Sequence, residues 1–431
     1  MTGDARTHRT ACVLSVGDEL VLGQGLDTNA RWISERLLAL GVRPIEHVTV
    51  EDDLERQRDI LREMARRADV VVVTGGLGPT KDDLTRQALA SAMDDELVED
   101  EGSLEFLFDL ERERGRTMTD ERRAQALRPS RGRSLDNGFG TAPGRFGTVE
   151  GCDVICLPGP PREMRPRVEA HVAPALRPAA GARTMTRVLR TYGLAEADAG
   201  ARLGALMERA GVDDTMVGVT ASGGIVSVRM RARDGATLDR LEAEAREAMG
   251  ETVFGYEDET LERLVVRLLG ERGERVTVAE SCTGGLLGAS ITSVPGSSDV
   301  YNGGVLTYAD EAKTYLLGVQ PDVFESHGAV SEPCARSMAE GALRAPTGVR
   351  AAHALAVTGI AGPGGGSDEK PVGTVFIGYA RRGHETVVKR FLIAGDRDDV
   401  RARSVVAALG MLSYALRGAE APGRLLWEVD L

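Results

Sequence analysis

The sequence predicts an α/β protein: a parallel sheet covered on both faces, a small α+β unit in the middle, and a second α/β domain at the end. Three observations carry this reading. The run DVVVVT at 69–74 is continuously β-branched, as in a strand buried on both faces. Strand-like and helix-like segments alternate around it, which is the pattern of βαβ units. The chain has 431 residues, enough for two or three domains with separate cores.

The elements follow in order. Residues 11–16 form a short apolar strand ending at the turn-like Gly17-Asp18, and 29–40 carry apolar residues at helical spacing, closed by Gly41 as a C-cap. Residues 42–50 are strand-like, 54–67 read as an amphipathic helix, and the strand 69–74 runs into GGLGPT and a helix from about Asp83. A later strand at 153–157 leads into PGPP and the helical REMRPRVEAHV. Residues 178–181 look like a linker. The small unit has strands at 187–192, 216–220 and 225–233 and helices at 195–210 and 237–249, and nothing in it looks catalytic. The last domain opens with helix 260–272 and strand 275–279, followed by ESCTGG and a second helix. Strand 304–308, helices 310–317 and 332–344, and strand 354–358 precede a long glycine-rich loop. Strands 374–379 and 386–391 and helix 398–417 close it. The domains are accordingly placed at 1–177, 182–256 and 257–420.

Composition narrows the function class. The net charge of −13 argues against a large nucleic-acid face, which needs clustered cations. Only four of the basic residues are lysine (Lys81, Lys313, Lys370 and Lys389), so a lysine here marks a position where arginine does not serve. An amine that must lose its proton is one such case; a surface remnant is the plain alternative. The five cysteines form no C-x-x-C pair, so neither a zinc framework nor a disulfide scaffold is implied. The polar start and the lack of an 18-residue apolar run predict a cytoplasmic protein without a membrane span.

Two segments carry chemistry in the first domain. TGGLGPTKDDLT (74–85) joins a strand end, three glycines, Lys81 and the adjacent Asp82 and Asp83. Thr74, Gly75, Gly76 and Gly78 let backbone N–H groups approach a phosphate, and paired carboxylates suit a hard divalent cation. A glycine-rich turn with an Asp helix cap is the plain alternative. GDELVLG adds Asp18 and Glu19, as caps or as part of an acidic cluster. GTAPG and LPGPP are rigid turns that either punctuate the chain or wall a pocket.

In the last domain, AESCTGG places Ser281, Cys282, Thr283, Gly284 and Gly285 between a strand and a helix. Ser281 reads equally as an N-cap or as part of a reactive group, and helix-start N–H groups are expected to hold an oxyanion. Cys282 reads as a buried thiol rather than a nucleophile. PGSSDVYNGGVLTYADEAK supplies Ser297, Ser298, Tyr308 and Lys313. No Ser-His-Asp grouping is evident, and a neutral Lys313 could replace histidine as the base; a solvated helix lysine is the alternative. Thr358 and Gly359 open a loop rich in backbone donors, and Arg397 stands just before a helix, placed to clamp a phosphate; a bare helix start capped by Asp398 is the plain alternative.

GDELVLGQ, DTNARWISERL, TGGLGPTKDDLT, NGFGTAPG and LPGPPREM resemble, in this order, the N-terminal half of CinA proteins. AESCTGGLL, PGSS, TYADEAK, GAVSEP, VTGIAGPGGGSDEKPVGT and GDRDDVR resemble the C-terminal domain of the same family. The resemblance implies a molybdopterin-binding-like α/β/α domain, a small α+β domain and a CinA-type α/β/α domain. For the first half it implies an ADP-ribose pyrophosphatase with a divalent metal (Mg, Mn or Co), its ligand loop holding Gly75, Gly76, Gly78, Asp82 and Asp83. For the second it implies a nicotinamide mononucleotide deamidase of pyridine nucleotide recycling that needs no cofactor. Ser298 is then the nucleophile, Ser281 and Lys313 the proton-transfer network, and Tyr308, Thr358 and Arg397 pocket or phosphate residues. The expected partners are small nucleotides and a second copy of the chain, with neither nucleic acid nor membrane. Two other readings stay open: a pyrophosphatase with a silent last domain, and a non-enzymatic adaptor in DNA uptake or repair.

Overall fold

The computed structural model describes residues 7–138, 140–211, 215–421 and 423–431. The chain divides into two compact units, Met1–Met185 and Thr186–Leu431.

The first unit runs β1 (Thr10–Val16), α1 (Asp18–Val21), α2 (Thr28–Ala39), β2 (Arg43–Val50), α3 (Leu54–Arg67), β3 (Val70–Thr74) and α4 (Thr85–Ala92). It continues through β4 (Leu97–Glu99), α5 (Glu101–Glu113), α6 (Asp120–Ala124), β5 (Leu127–Pro129), β6 (Arg133–Leu135), β7 (Gly144–Val149) and β8 (Cys152–Leu157). It ends in α7 (Pro161–Arg167), a π-turn and α8 (Ala173–Ala175). The main sheet has the order β2–β1–β3–β8–β7–β6. Alternate residues of β3 feed opposite cores, Val71 and Val73 on one face and Val70 and Val72 on the other. The helices fold locally for ordinary reasons. In α3 the Asp53 side chain accepts from Arg56 N, and Ile60, Leu61, Met64 and Ala65 make one buried stripe.

The sheet is mixed rather than wholly parallel, which corrects the expectation. Strands β2, β1, β3 and β8 are parallel, but β7 and β6 are antiparallel. The cause is the two-residue connection Glu150-Gly151, where both φ angles are positive (49° and 81°). A two-residue loop with two positive φ values makes a tight hairpin and excludes a crossover.

The second unit begins with β9 (Met185–Tyr192), α9 (Glu196–Arg209), β10 (Met216–Ser222), β11 (Ile225–Ala232), α10 (Gly235–Met249) and β12 (Val253–Tyr256). These strands form a sheet of order β10–β11–β9–β12. Then follow α11 (Leu261–Arg272), β13 (Val276–Glu280), α12 (Leu286–Thr292), a short turn Ser297–Asp299 and β14 (Tyr301–Leu306). The rest is α13 (Asp310–Leu317), α14 (Pro321–His327), α15 (Glu332–Arg344), β15 (His353–Gly359), β16 (Thr374–Arg381), β17 (Val387–Leu392), α16 (Arg397–Arg417) and β18 (Glu428–Val429). The second sheet has the order β14–β13–β15–β16–β17–β18. Its first three strands are parallel and the others antiparallel. Tyr192 and Phe254 pack in one core with Leu409 and Leu412 of α16. Tyr414 Oη also donates to the Tyr192 carbonyl at 2.8 Å. The middle elements and the last domain are therefore joined through α16.

Strand β14 lies at 301–306 rather than 304–308. Tyr308 has left the sheet because the chain turns at Ala309 to start α13. Among the described residues no helix is long and apolar enough to cross a membrane.

Candidate active site

Register builds the site of the last domain. Glu280 of β13 pairs with Leu306 of β14 and with Val357 of β15. The residues beyond these strands, 281–285, 307–309 and 360–362, therefore leave the sheet along one edge, with Thr358 and Gly359 at the end of β15. Ligands of open α/β sheets bind at this carboxyl edge.

The Glu280 carboxylate is 1% exposed and accepts three backbone N–H groups, from Gly285 (3.0 Å), Leu287 (3.0 Å) and Gly288 (2.8 Å). A buried carboxylate requires such donors, and a helix N-terminus supplies them. Gly284 and Gly285, with φ of 60° and 95°, fold the helix start back onto the strand end. This corrects two expectations. The N–H groups of Gly285, Leu287 and Gly288 already serve Glu280, so they do not form an oxyanion hole. Ser281 does not cap α12, whose N-cap is Gly285; its N–H donates to Val357 O at 3.0 Å instead. Glu280 stands in the quoted AESCTGG, but the sequence gives no sign of its role.

Lys313 is the buried cation of this edge, at 1% exposure. Its Nζ donates to Tyr308 O (3.2 Å) and to Asp310 Oδ1 (3.1 Å). The expectation of a special lysine thus meets a buried amine whose one carboxylate partner among the described residues is Asp310. Ser281 is buried, whereas Ser298 is exposed on the turn Ser297–Asp299 and makes no hydrogen bond to Ser281 or Lys313 among the described residues. Thr283 and Thr307 are both fully buried, and neither hydroxyl has a hydrogen-bond partner among the described residues. Thr307, which the sequence reading passes over, is thereby as notable as Thr283. Burial pushes the Cys282 thiol up to about 12, so it is a packing residue.

The arginine frame comes from α16. Arg397 donates to Gly362 O (2.6 Å) and to the exposed Tyr308 hydroxyl (2.9 Å). Arg401 donates to Thr283 O at 3.0 Å. The cap of α16 is Asp396, in a capping box with Asp399, rather than Asp398. Thr358 Oγ1 donates to Ala329 O at 2.8 Å and is engaged. A side chain at Gly359 would meet Val375 and the Thr374 carbonyl at 2.8–2.9 Å, so that position is closed to one.

The first unit forms a second carboxyl edge. Thr74 pairs with Ser15 and Leu157. A Cβ on Gly75 would lie 2.2 Å from Val16 O, and one on Gly76 would lie 2.2 Å from Thr85 Oγ1. Buried Arg86 donates to Leu77 O (2.8 Å) and Gly78 O (3.1 Å), bracing the loop from beneath. Asn29 bonds Thr74 Oγ1 (3.1 Å) and Gly159 O (2.6 Å), which ties α2 to two loops. Asp18 and Asp52 exchange backbone N–H bonds at 3.0 and 3.2 Å. Burial, and then the carboxylates of Asp18, Asp82 and Glu19, push the Asp52 carboxyl up. Asp52 thus joins the acidic cluster expected from Asp18, Glu19 and Asp82. Asp83 does not, because its carboxylate is bound to Thr80 N (2.8 Å) and to the Thr80 hydroxyl. It is not the cap of the following helix either, since α4 begins after Leu84. Lys81 is exposed. Among the described residues no three His, Cys, Asp or Glu side chains converge as a metal-holding group. The acidic cluster as placed is therefore no closed cation site among the described residues.

Three family descriptions match the chain: probable molybdopterin binding domain over residues 12–178, damage-inducible protein CinA KH domain over 186–255, and CinA C-terminal domain over 258–416. A "putative competence-damage inducible protein" of Symbiobacterium thermophilum is 44% identical over 421 residues, covering 94% of this chain and 98% of that one. One of the same description from Caldanaerobacter subterraneus subsp. tengcongensis is 39% identical over 413 residues, covering 95% and 98%. The chain belongs to the CinA family. A competence/damage-inducible protein of Agrobacterium tumefaciens has a solved structure, 42% identical, covering 36% of this chain and 93% of that one, with a TM-score of 0.35. The CinA KH match falls on β9 to β12. There, helices α9 and α10 are separated by the β10–β11 hairpin rather than joined by the GXXG loop with which KH modules clamp nucleotides.

Proposed function

We propose that the last domain hydrolyses the carboxamide of a nicotinamide mononucleotide, giving the nicotinate nucleotide and ammonia. The observation that carries this reading is Lys313, a buried amine at the carboxyl edge; Thr283 and Thr307, in the neighbouring turns, have hydroxyls without a partner among the described residues, and Arg397 binds the Tyr308 hydroxyl in the turn that precedes Lys313. In this reading neutral Lys313 takes the Ser298 proton as substrate draws the Ser297–Asp299 turn inward. The ammonium so formed rests against Asp310, its partner in the free chain. Ser298 Oγ bonds to the carboxamide carbon, and Lys313 returns the proton to the departing nitrogen. Water, activated by the same amine, then cleaves the ester and releases nicotinate nucleotide. Thr283 and Thr307 are the proposed oxyanion donors, since the helix-start N–H groups serve Glu280. Arg397 is placed to receive the nucleotide phosphate.

The test is ammonia release from nicotinamide mononucleotide in EDTA, for wild type, Ser298→Ala and Thr307→Val. Release by wild type and loss in Ser298→Ala is the expected result. Undiminished release by Ser298→Ala overturns the nucleophile.

A second activity is proposed for the first unit, hydrolysis of the ADP-ribose pyrophosphate. The glycine-rich loop after β3 supports it, since glycines there leave room for backbone N–H groups to approach phosphates. ADP-ribose turnover with and without added Mg, Mn or Co salts tests it.

A further inference from the structure

The second unit holds a cavity of about 540 Å³ away from the carboxyl edge. It lies between β9–β12 on one side and α11, α12 and α16 on the other, with walls that include Ile225, Leu286, Ala402, Val405 and Leu409. This volume is in the range of small-molecule sites. The wall is mainly apolar, and its one cation is Arg190 of β9. Arg190 Nη1 donates to Ser227 Oγ at 2.6 Å, but its Nε is buried and has no partner among the described residues. Burial, and then the charge of Arg229, lower the Arg190 pKa, with the Asp258 carboxylate offsetting part of the effect. The single carboxylate of the wall, Glu262, stands in the first turn of α11, where the helix N-terminus compensates it. A half-buried guanidinium beside a mainly apolar wall calls for an anionic head on an apolar body.

We infer that this cavity is a binding site for a small amphipathic anion, its carboxylate-like head on Arg190 and its apolar tail along α12 and α16. The site is separate from the proposed deamidation, and its test requires no turnover. Calorimetric titration of the full chain with decanoate is expected to show saturable binding of one molecule, with decyltrimethylammonium giving no heat. Arg190→Gln removes the head group's partner, and Ser222→Trp, at an exposed position on the cavity rim, blocks the entrance without touching the core. Each is expected to weaken decanoate at least tenfold while the thermal unfolding midpoint stays at the wild-type value. No saturable heat, equal binding of the cation, or wild-type affinity in both variants overturns the site.

Discussion

The two units bury cations for different ends, and the contrast shows how to read a buried charge. In the first unit Arg145 and Arg167 are fully buried and donate only to carbonyl oxygens. Arg145 serves Leu127, Gly144 and Gln125, and Arg167 serves Leu135, Asp136 and Ala142. A guanidinium holds its proton throughout and presents several fixed donors, so it is suited to pinning irregular backbone. In the second unit Lys313 is equally buried, but it meets one carbonyl and one carboxylate. Its amine can lose a proton. Burial alone therefore does not mark chemistry; the nature of the partners does.

The sharpest break of this contrast is at Lys313. Lys313→Ala should lower the rate of ammonia release by about 10²- to 10⁴-fold, the span of general acid–base contributions. Lys313→Arg should not restore it, since guanidinium does not act as a base at neutral pH. Activity within tenfold of wild type in either variant would place Lys313 with the scaffold arginines. Arg145→Ala should do the converse. It strands three buried carbonyls and should lower the unfolding free energy of the first unit by about 3 kcal/mol, measured by urea titration. Ammonia release should stay unchanged.

Glu280 lies between these cases, a buried charge with only backbone partners yet next to Ser281. Glu280→Ala should cost about 2–3 kcal/mol of stability, because charged groups lend their hydrogen bonds extra strength. Glu280→Gln should retain more of it. If Glu280 is a positioning residue, kcat falls in both while KM is little changed. Arg397 is exposed, so Arg397→Ala should leave stability within about 0.5 kcal/mol. KM for the nucleotide should rise about tenfold, equivalent to about 1.4 kcal/mol, and dephosphorylated nicotinamide riboside should not feel the change.

The smallest effect concerns pH. His353 is buried, hydrogen-bonded to Glu274 at 2.9 Å and to Tyr379 at 2.8 Å. Burial lowers its pKa, and the His353 hydrogen bond in turn lowers that of Glu274. Both signs agree. The unfolded chain takes up protons first, at His353 from about pH 6.5 and at Glu274 from about pH 4.5, so stability falls as pH falls through these values. Unfolding midpoints at pH 7.5 and 5.5 should differ, and His353→Gln should shrink that difference. An unchanged difference would remove His353 from the account.

Legibility in the sequence followed the strength of local signals. Helices 54–67, 310–317 and 332–344 lie where periodicity puts them. Between 95 and 149 the 13-residue α5 is an element the sequence reading passes over, and β4, β5 and β6 are three residues each, too short for an alternating pattern. Such strands exist only through their partners. The site divides in the same way. Lys313, Arg397 and the glycine loops stood out by residue type and spacing. Asp52 joins Asp18 only because β1 and β2 are neighbours in the sheet, and the partnerless hydroxyl of Thr307 is visible only where three strands end together.

By itself the sequence determined the alternation of the longer strands and helices, the glycine-rich loops that follow strands, and the family, since these rest on local periodicity and on motifs read in line. Only the tertiary structure decided that Glu280 occupies the helix-start N–H groups, that Asp83 serves Thr80, and that Lys313 is buried against Asp310. Each of these joins residues no more than eight apart, yet which of the nearby donors and acceptors meet is set by the turn that the packed strands and helices impose, and residue spacing alone leaves that choice open.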